Sequence, residues 1–245
     1  MSNPFETPTA APAAILGGGD FDLSQSFREG WDAMSRNLGI WLVMLLVAGL
    51  ASFLSVIACL LPALLVIPVV TWGTTRFTLD ALDGQAELGT VFSGFNRVGE
   101  VWAPVFTAGL LFLLAMLPGF AVAFAFQFGP LMLPNQDEPG VQMLVFGSTL
   151  AGSLFNRVWD VLLLSRLSPA MYLVIDKQMP ALDAFNESWR LTSTCWGKSI
   201  VFTLAVMFVP FVGLLACCVG IIPAAVLVSA AQASMYRQLV GHKAA

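Results

Sequence analysis

The chain has 245 residues, 58% of them apolar and only 11% charged, with a net charge of −4 and a mean hydropathy of +0.82. A soluble domain carries about 25% charged and 45–50% apolar residues. The composition therefore excludes an ordinary soluble fold, a disordered chain and a nucleic-acid-binding module, and it points to an all-α, multi-pass integral membrane protein.

Met1–Gly19 contains no Lys or Arg and no sustained apolar core, so it does not read as a secretory signal. It is rich in Pro, Ala, Thr and Gly, the composition of a flexible tail. The expected organisation is a tail over 1–20, one membrane domain over 21–240 and a short tail over 241–245.

Next in order is an amphipathic segment. Leu23, Phe27, Trp31 and Met34 recur at helical spacing on one face. Ser26 and Glu29 have the spacing of a capping box, with Asp22 and Ser24 as competing caps. Leu38–Thr75 then carries no charge, and neither do Val101–Gln136 and Ser199–Tyr236. A spanning helix needs about 20 mostly apolar residues. The first and third runs are long enough for two helices each, divided near 59–63 and 217–222, where Pro62, Pro68, Gly220 and Pro223 punctuate them. The second run supplies one helix; a Pro-containing loop over 129–140 follows it, and then a further helix that Pro169 is expected to interrupt. Six spans result: 40–58, 62–79, 102–126, 141–167, 199–217 and 222–238.

The Lys and Arg residues fall on one set of connections. Arg28, Arg36, Arg76, Arg97, Arg166, Lys177, Arg190, Lys198, Arg237 and Lys243 flank one side, and the connections near 60, 129–140 and 219 have none. By the positive-inside rule both termini are cytoplasmic, as expected for a bacterial inner-membrane protein. Trp41, Trp72, Trp102 and Trp196 are placed for an interfacial belt.

The sequence also matches itself at an offset of 158. Phe27-Arg-Glu29-Gly-Trp31 matches Phe185-Asn-Glu187-Ser-Trp189, Ser35 matches Ser193, Gly39 matches Gly197 and Cys59 matches Cys217. Each copy is a cytoplasmic amphipathic helix followed by a two-span hairpin. A weaker middle copy has Leu88, Phe92 and Phe95 as its apolar stripe and Ser165-Arg166-Leu167 at its end. The expected fold is three parallel-repeat hairpins, over about 23–79, 87–168 and 180–238, around a pseudo-threefold axis. The faces bearing Phe27, Trp31, Phe185 and Trp189 suit the headgroup plane. The plainer alternative is that these helices only cover the cytoplasmic end of the bundle.

The fourth span is the polar one. Ser148, Gly152, Asn156 and Asp160 recur every fourth residue, with Ser153 and Arg157 beside them. Arg157 lies about 13 Å deeper than Arg166 at 1.5 Å per residue, where a charge must face protein or a water-filled cavity. Three readings stand: a polar route, an ion pair with Asp160 that locks the helix to its neighbours, or an earlier helix exit with Arg157 snorkelling. Small residues at Ala225, Ser229 and Ala233 suit close helix packing.

The stretch Arg166-Leu-Ser-Pro-Ala-Met-Tyr-Leu-Val-Ile-Asp176, then Ala181–Trp189, Leu191-Thr192 and Tyr236-Arg237-Gln-Leu239, resembles a pattern in uncharacterised bacterial multi-pass membrane proteins. These are similar to YciC-like proteins and to the membrane domain fused to some glycerophosphodiester phosphodiesterases. Gly73–Phe95, with Arg76-Phe77, Gly84 and Phe92-Ser-Gly-Phe95, fits the same pattern. The resemblance implies a six-helix inner-membrane protein and carries over no catalytic residue. The cysteines Cys59, Cys195, Cys217 and Cys218 form no CxxC, and His242 is the single histidine, so neither a metal site nor a cofactor is expected. No nucleophile elbow or HExxH motif points to an enzyme. The expected function is a non-catalytic scaffold that organises membrane lipids or a partner complex, either as a homo-oligomer or with another membrane protein. The alternative is a transporter or pore lined by the fourth span.

Overall fold

The computed structural model describes residues 20–57, 60–134, 138–215 and 220–241; Cys59, Cys217, Cys218, His242 and Lys243 lie outside them. Among the described residues the chain is helical, with no strand. The helices are α1 (Leu23–Arg36), α2 (Leu38–Ile57), α3 (Leu60–Leu82), α4 (Leu88–Phe92, continued by a 3-10 turn over Ser93–Arg97), α5 (Val98–Phe128), α6 (Pro139–Asp176), α7 (Ala181–Ser193), α8 (Trp196–Leu215) and α9 (Ile221–Val240). Three stretches are long and apolar enough to cross a membrane: Leu88–Met132, Pro139–Asp176 and Trp196–Leu215. A fourth results if α1 and the first part of α2, bent by 91° at their junction, count as one span.

Consecutive long helices pack in pairs, α2 with α3, α5 with α6 and α8 with α9. The second member of each pair is the inner one, and α3, α6 and α9 touch one another. Their adjoining ends hold the core, including Phe77 and Leu79 from α3, Leu173 and Val174 from α6, and Ala233 and Tyr236 from α9. The first members form the outside. Leu46 and Phe53 on α2, Leu113 and Phe124 on α5, and Phe208 and Val212 on α8 are exposed. An apolar exterior around a tighter interior fits a lipid solvent, which leaves no hydrophobic drive to bury such groups.

The short helices close the inner ring. α4 packs on α3, α7 on α6, and α1 on α9, at the far end of the chain. Close backbone approach makes this possible. A Cβ on Gly30 would lie 2.9 Å from the Ala231 nitrogen, and one on Gly94 would lie 2.9 Å from the Val69 carbonyl oxygen. α1 starts at Asp22, whose carboxylate accepts from the Ser24 and Gln25 amides at 2.8 and 3.2 Å. Asp22 is thus the cap, and Ser26 and Glu29 do not form a capping box. Glu29 instead accepts from Ser234 of α9 and from Gln25.

Pro169 does not interrupt the fourth long helix. α6 continues through it to Asp176, nine residues beyond the expected end at 167. Proline removes one N–H and crowds the preceding turn. Here the flanking residues Leu167, Ala170, Leu173 and Val174 are all buried against other helices, and that packing offsets the lost bond. Trp41 also departs from the expected interfacial belt. It is fully buried, edge-on to Phe77 at 5.0 Å, and its indole N–H donates to the Ala33 carbonyl at 3.3 Å. Trp102 repairs a proline defect. Pro68 leaves the Leu64 carbonyl without its helical donor, and the Trp102 indole N–H supplies one at 3.0 Å.

Candidate functional site

The stripe predicted on the fourth span lies along α6 where it meets α5. Gly152 lets the helices approach, since a Cβ there would lie 2.7 Å from the Phe126 Cβ. Asn156 faces Gly119, and Ser148 lines a small apolar depression beside Phe126 and Leu133. The Ser148 and Ser153 hydroxyls donate back to their own helix, to Val145 and Thr149, a pattern common for such residues in helices. This row is therefore mostly a helix–helix seam made of small groups.

Asp160 stands apart from the rest of that row. Its carboxylate accepts from the Asn156 amide at 3.1 Å and lies 3.8 Å from the Arg157 guanidinium. It borders a groove of about 720 Å³ between α3, α5 and α6, lined otherwise by groups such as Ile67, Leu110, Leu113, Met116 and Phe120. Most of these are themselves exposed, so the groove opens on the outside of the bundle. Arg157 is 75% exposed, against 14% for Asp160. The expectation that Arg157 faces protein or an internal cavity is thus corrected. α6 is about 57 Å long at 1.5 Å per residue, well beyond an apolar core of about 30 Å. Its exposed apolar band runs from Met143 to Leu162. Arg157 lies near one edge of that band, within snorkelling reach of its boundary.

The tryptophans of the amphipathic helices lie largely outside the packed faces. In α1 the buried residues are Ser26, Gly30, Ala33 and Met34, and in α7 they include Ala184, Ser188, Leu191 and Thr192. Trp31 is 56% exposed and Trp189 51%, with Leu182, Leu88, Phe92 and Phe95 also exposed. Phe27 and Phe185 are half-buried, Phe27 against Phe202 at 5.6 Å. The small-residue faces dock the helices and leave an aromatic rim outside. The sequence stripe marked the aromatic row, but only the complementary small residues mark the docking face.

A polar knot joins the three inner helices at the same end. The Asp176 carboxylate of α6 accepts from the Tyr236 hydroxyl of α9 at 2.9 Å and lies 3.6 Å from Arg76 of α3. Lys177 is 3.4 Å from the same carboxylate. Arg237 of α9 pairs with Asp83 and donates to the Leu79 carbonyl of α3 at 2.8 Å. Tyr172 stacks on Tyr236 with centroids 5.3 Å apart. The sequence singles out Arg76, Asp176 and Tyr236-Arg237, but nothing local indicates that they meet.

The start of α1 is tied to the bundle as well. Asp20 accepts from the Lys198 ammonium at 2.7 Å, and this bond holds the Asp20 carboxyl below the usual carboxylate range. Hydrogen bonding from Ser24 does the same for Asp22. Among the described residues no group of three or more His, Cys, Asp or Glu side chains is placed to hold a metal ion. Comparison with protein-family models, with curated proteins and with solved structures finds no match for the chain.

Proposed function

We propose that this protein is a six-span, non-catalytic scaffold of a bacterial inner membrane that organises lipid at the cytoplasmic face. The observation that carries the reading is the outward aromatic rim of α1, α4 and α7 above an apolar outer wall. Helices of this kind lie in the headgroup plane with their apolar side toward the acyl chains. The six spans are α2, α3, α5, α6, α8 and α9, and both termini are cytoplasmic by the Lys/Arg distribution.

Three repeated units support this arrangement. The offset of 158 carries Leu23 to Ala181 and Leu38 to Trp196, the first residues of α7 and α8. Each short helix docks on the second helix of the hairpin before it, with α1 closing the ring on α9. The resemblance to YciC-like proteins fits the same plan. The alternative, a transporter with a polar route along α6, draws on Asp160. The groove at Asp160 is otherwise apolar except for Thr71 and opens outward, which suits an acyl chain better than a hydrated solute.

The topology is tested by single cysteines in a Cys-free background, probed with an impermeant thiol reagent on intact cells. Met132→Cys, at the exposed connection after α5, should label, and Gln85→Cys should be protected until the membrane is permeabilised. Labelling of Gln85→Cys with protection of Met132→Cys would overturn the orientation, and labelling of both would overturn the membrane-spanning reading.

A further inference from the structure

We propose that Arg166, held between Trp189 and Trp196, binds the phosphodiester of a glycerophospholipid in the cytoplasmic leaflet. The proposal rests on the membrane-scaffold reading and names the ligand of its rim. The guanidinium carbon lies 4.9 Å from the Trp189 ring centroid and 4.8 Å from that of Trp196. Such a clamp fixes the cation between two ring faces. No carboxylate pairs with it among the described residues, and its Nη1 is buried without any hydrogen-bond partner.

The surroundings explain why the charge is left over. Glu187, two residues before Trp189, is taken by Arg190 at 2.6 Å. Lys198, two residues after Trp196, is matched by Asp20. The seam itself is closed through the Arg166 main chain, whose carbonyl accepts from the Ser188 hydroxyl at 2.7 Å. The site thus carries one net positive charge. Both indoles are about half exposed, and neither indole N–H has a protein acceptor among the described residues.

An unpaired buried donor is costly unless something meets it. A guanidinium presents a planar fork that matches a phosphate, and an aromatic stack preorganises that fork. At the cytoplasmic surface of a membrane the abundant anion is the lipid phosphate, which attracts Lys and Arg near the interface. Indole rings favour the same depth. The other two seams lack this device. Gly30 meets the α9 backbone at Ala230 and Ala231, and Gly94 meets Val69; among the described residues the guanidinium seen over aromatic rings is that of Arg166.

The test titrates the detergent-purified full chain with short-chain phosphatidylglycerol, phosphatidylcholine, diacylglycerol and glycerol 3-phosphate, reading bound ligand by native mass spectrometry. Both phospholipids should bind, and the phosphate-free diacylglycerol and the tail-free glycerol 3-phosphate should bind far more weakly. Arg166→Gln should weaken phosphatidylglycerol binding at least about tenfold, the scale of a lost charge-assisted hydrogen bond, and Arg28→Gln should not. Equal binding by the wild type and Arg166→Gln, or by diacylglycerol and phosphatidylglycerol, would overturn the proposal. Equal binding of glycerol 3-phosphate would assign the site to a soluble phosphate instead. If Arg166→Gln does not fold, Trp189→Leu decides: a severalfold loss is expected, and unchanged affinity overturns the clamp. Failure of the membrane reading itself would show separately, as a chain that stays monomeric without detergent.

Discussion

Along the α1–α9 seam the inward residues of α1 are Ser26, Gly30, Ala33 and Met34; along the α7–α6 seam those of α7 include Ala184, Ser188, Leu191 and Thr192, each 158 positions later, and Ala181 besides. The first seam closes its polar groups on itself. The Gln238 side-chain amide donates to Ser26 at 3.2 Å and to Ser234 at 3.3 Å, Ser234 donates to Glu29, and the Gln238 Oε1 accepts from the Asp22 main-chain amide at 2.8 Å. The second uses two hydroxyls on one carbonyl and leaves the Arg166 guanidinium to two indoles. One docking register thus supports two chemistries, a latch whose partners are all internal and a seam with a cation to spare.

The largest expected effect breaks the first seam sterically. Gly30→Leu should destabilise the detergent-solubilised protein by about 1–3 kcal/mol or more, because the side chain meets the α9 backbone and not a movable side chain. Gly39→Ala is the control, since a Cβ there meets nothing within 4 Å; it should be neutral or stabilise slightly. Thermal unfolding of both variants checks this, and similar losses would mean that α1 is not packed as described.

A smaller effect separates the two polar chemistries. Ser234→Ala removes a bond to a carboxylate and should cost about 1.5–3 kcal/mol, whereas Ser188→Ala removes a neutral bond and should cost about 0.5–1.5 kcal/mol. Equal losses in the same melting assay would erase the distinction between latch and seam. The rim sharpens it from the other side. Trp189→Leu should lower phosphatidylglycerol affinity severalfold through the lost cation–π contact, while Trp31→Leu, which stacks on no cation among the described residues, should lower it less.

The smallest effect concerns pH. Asp20 has a folded-state pKa below its unfolded value of about 3.9. Its contribution is therefore present above that value and lost as pH falls through the lower, folded one. A nitroxide at Gln25→Cys should be immobile at neutral pH and gain mobility below about pH 4. Lys198→Met should remove the part of that acid dependence due to Asp20 and leave the part due to the Asp22 cap. No change in the wild type on acidification would show that Asp20 does not anchor the start of α1.

Much of the helix layout was legible because apolar runs and Lys/Arg-bearing ends are local signals. The ranges 40–58 and 199–217 differ from α2 and α8 by only a few residues at each end. The extension of α6 through Pro169 was not legible, since the packing that offsets a proline comes from distant parts of the chain. For α1 and α7 the amphipathic period was clear and marked the aromatic face, but it did not mark the small residues opposite as the docking side. In a lipid environment the aromatic residues gain nothing by burial, and the small residues opposite them make the close contact. Asp160 and Arg157 were found as a pair, but exposure alone separates the groove-facing carboxylate from the outward guanidinium. The Arg76–Asp176–Tyr236 knot and the Arg166 clamp needed the fold itself, because their members come from different helices.

On the proposed reading the aromatic faces of α1, α4 and α7 lie in one membrane interface. Nitroxides at Trp31→Cys, Phe92→Cys and Trp189→Cys, in a Cys-free background reconstituted into phosphatidylcholine–phosphatidylglycerol bilayers, measure this by their relative relaxation with oxygen and with a water-soluble nickel chelate. All three sites should show oxygen-favoured relaxation and similar shallow depths in a single leaflet. Nickel-dominated relaxation at Trp31→Cys and Trp189→Cys, as for freely solvated surface, would contradict that reading.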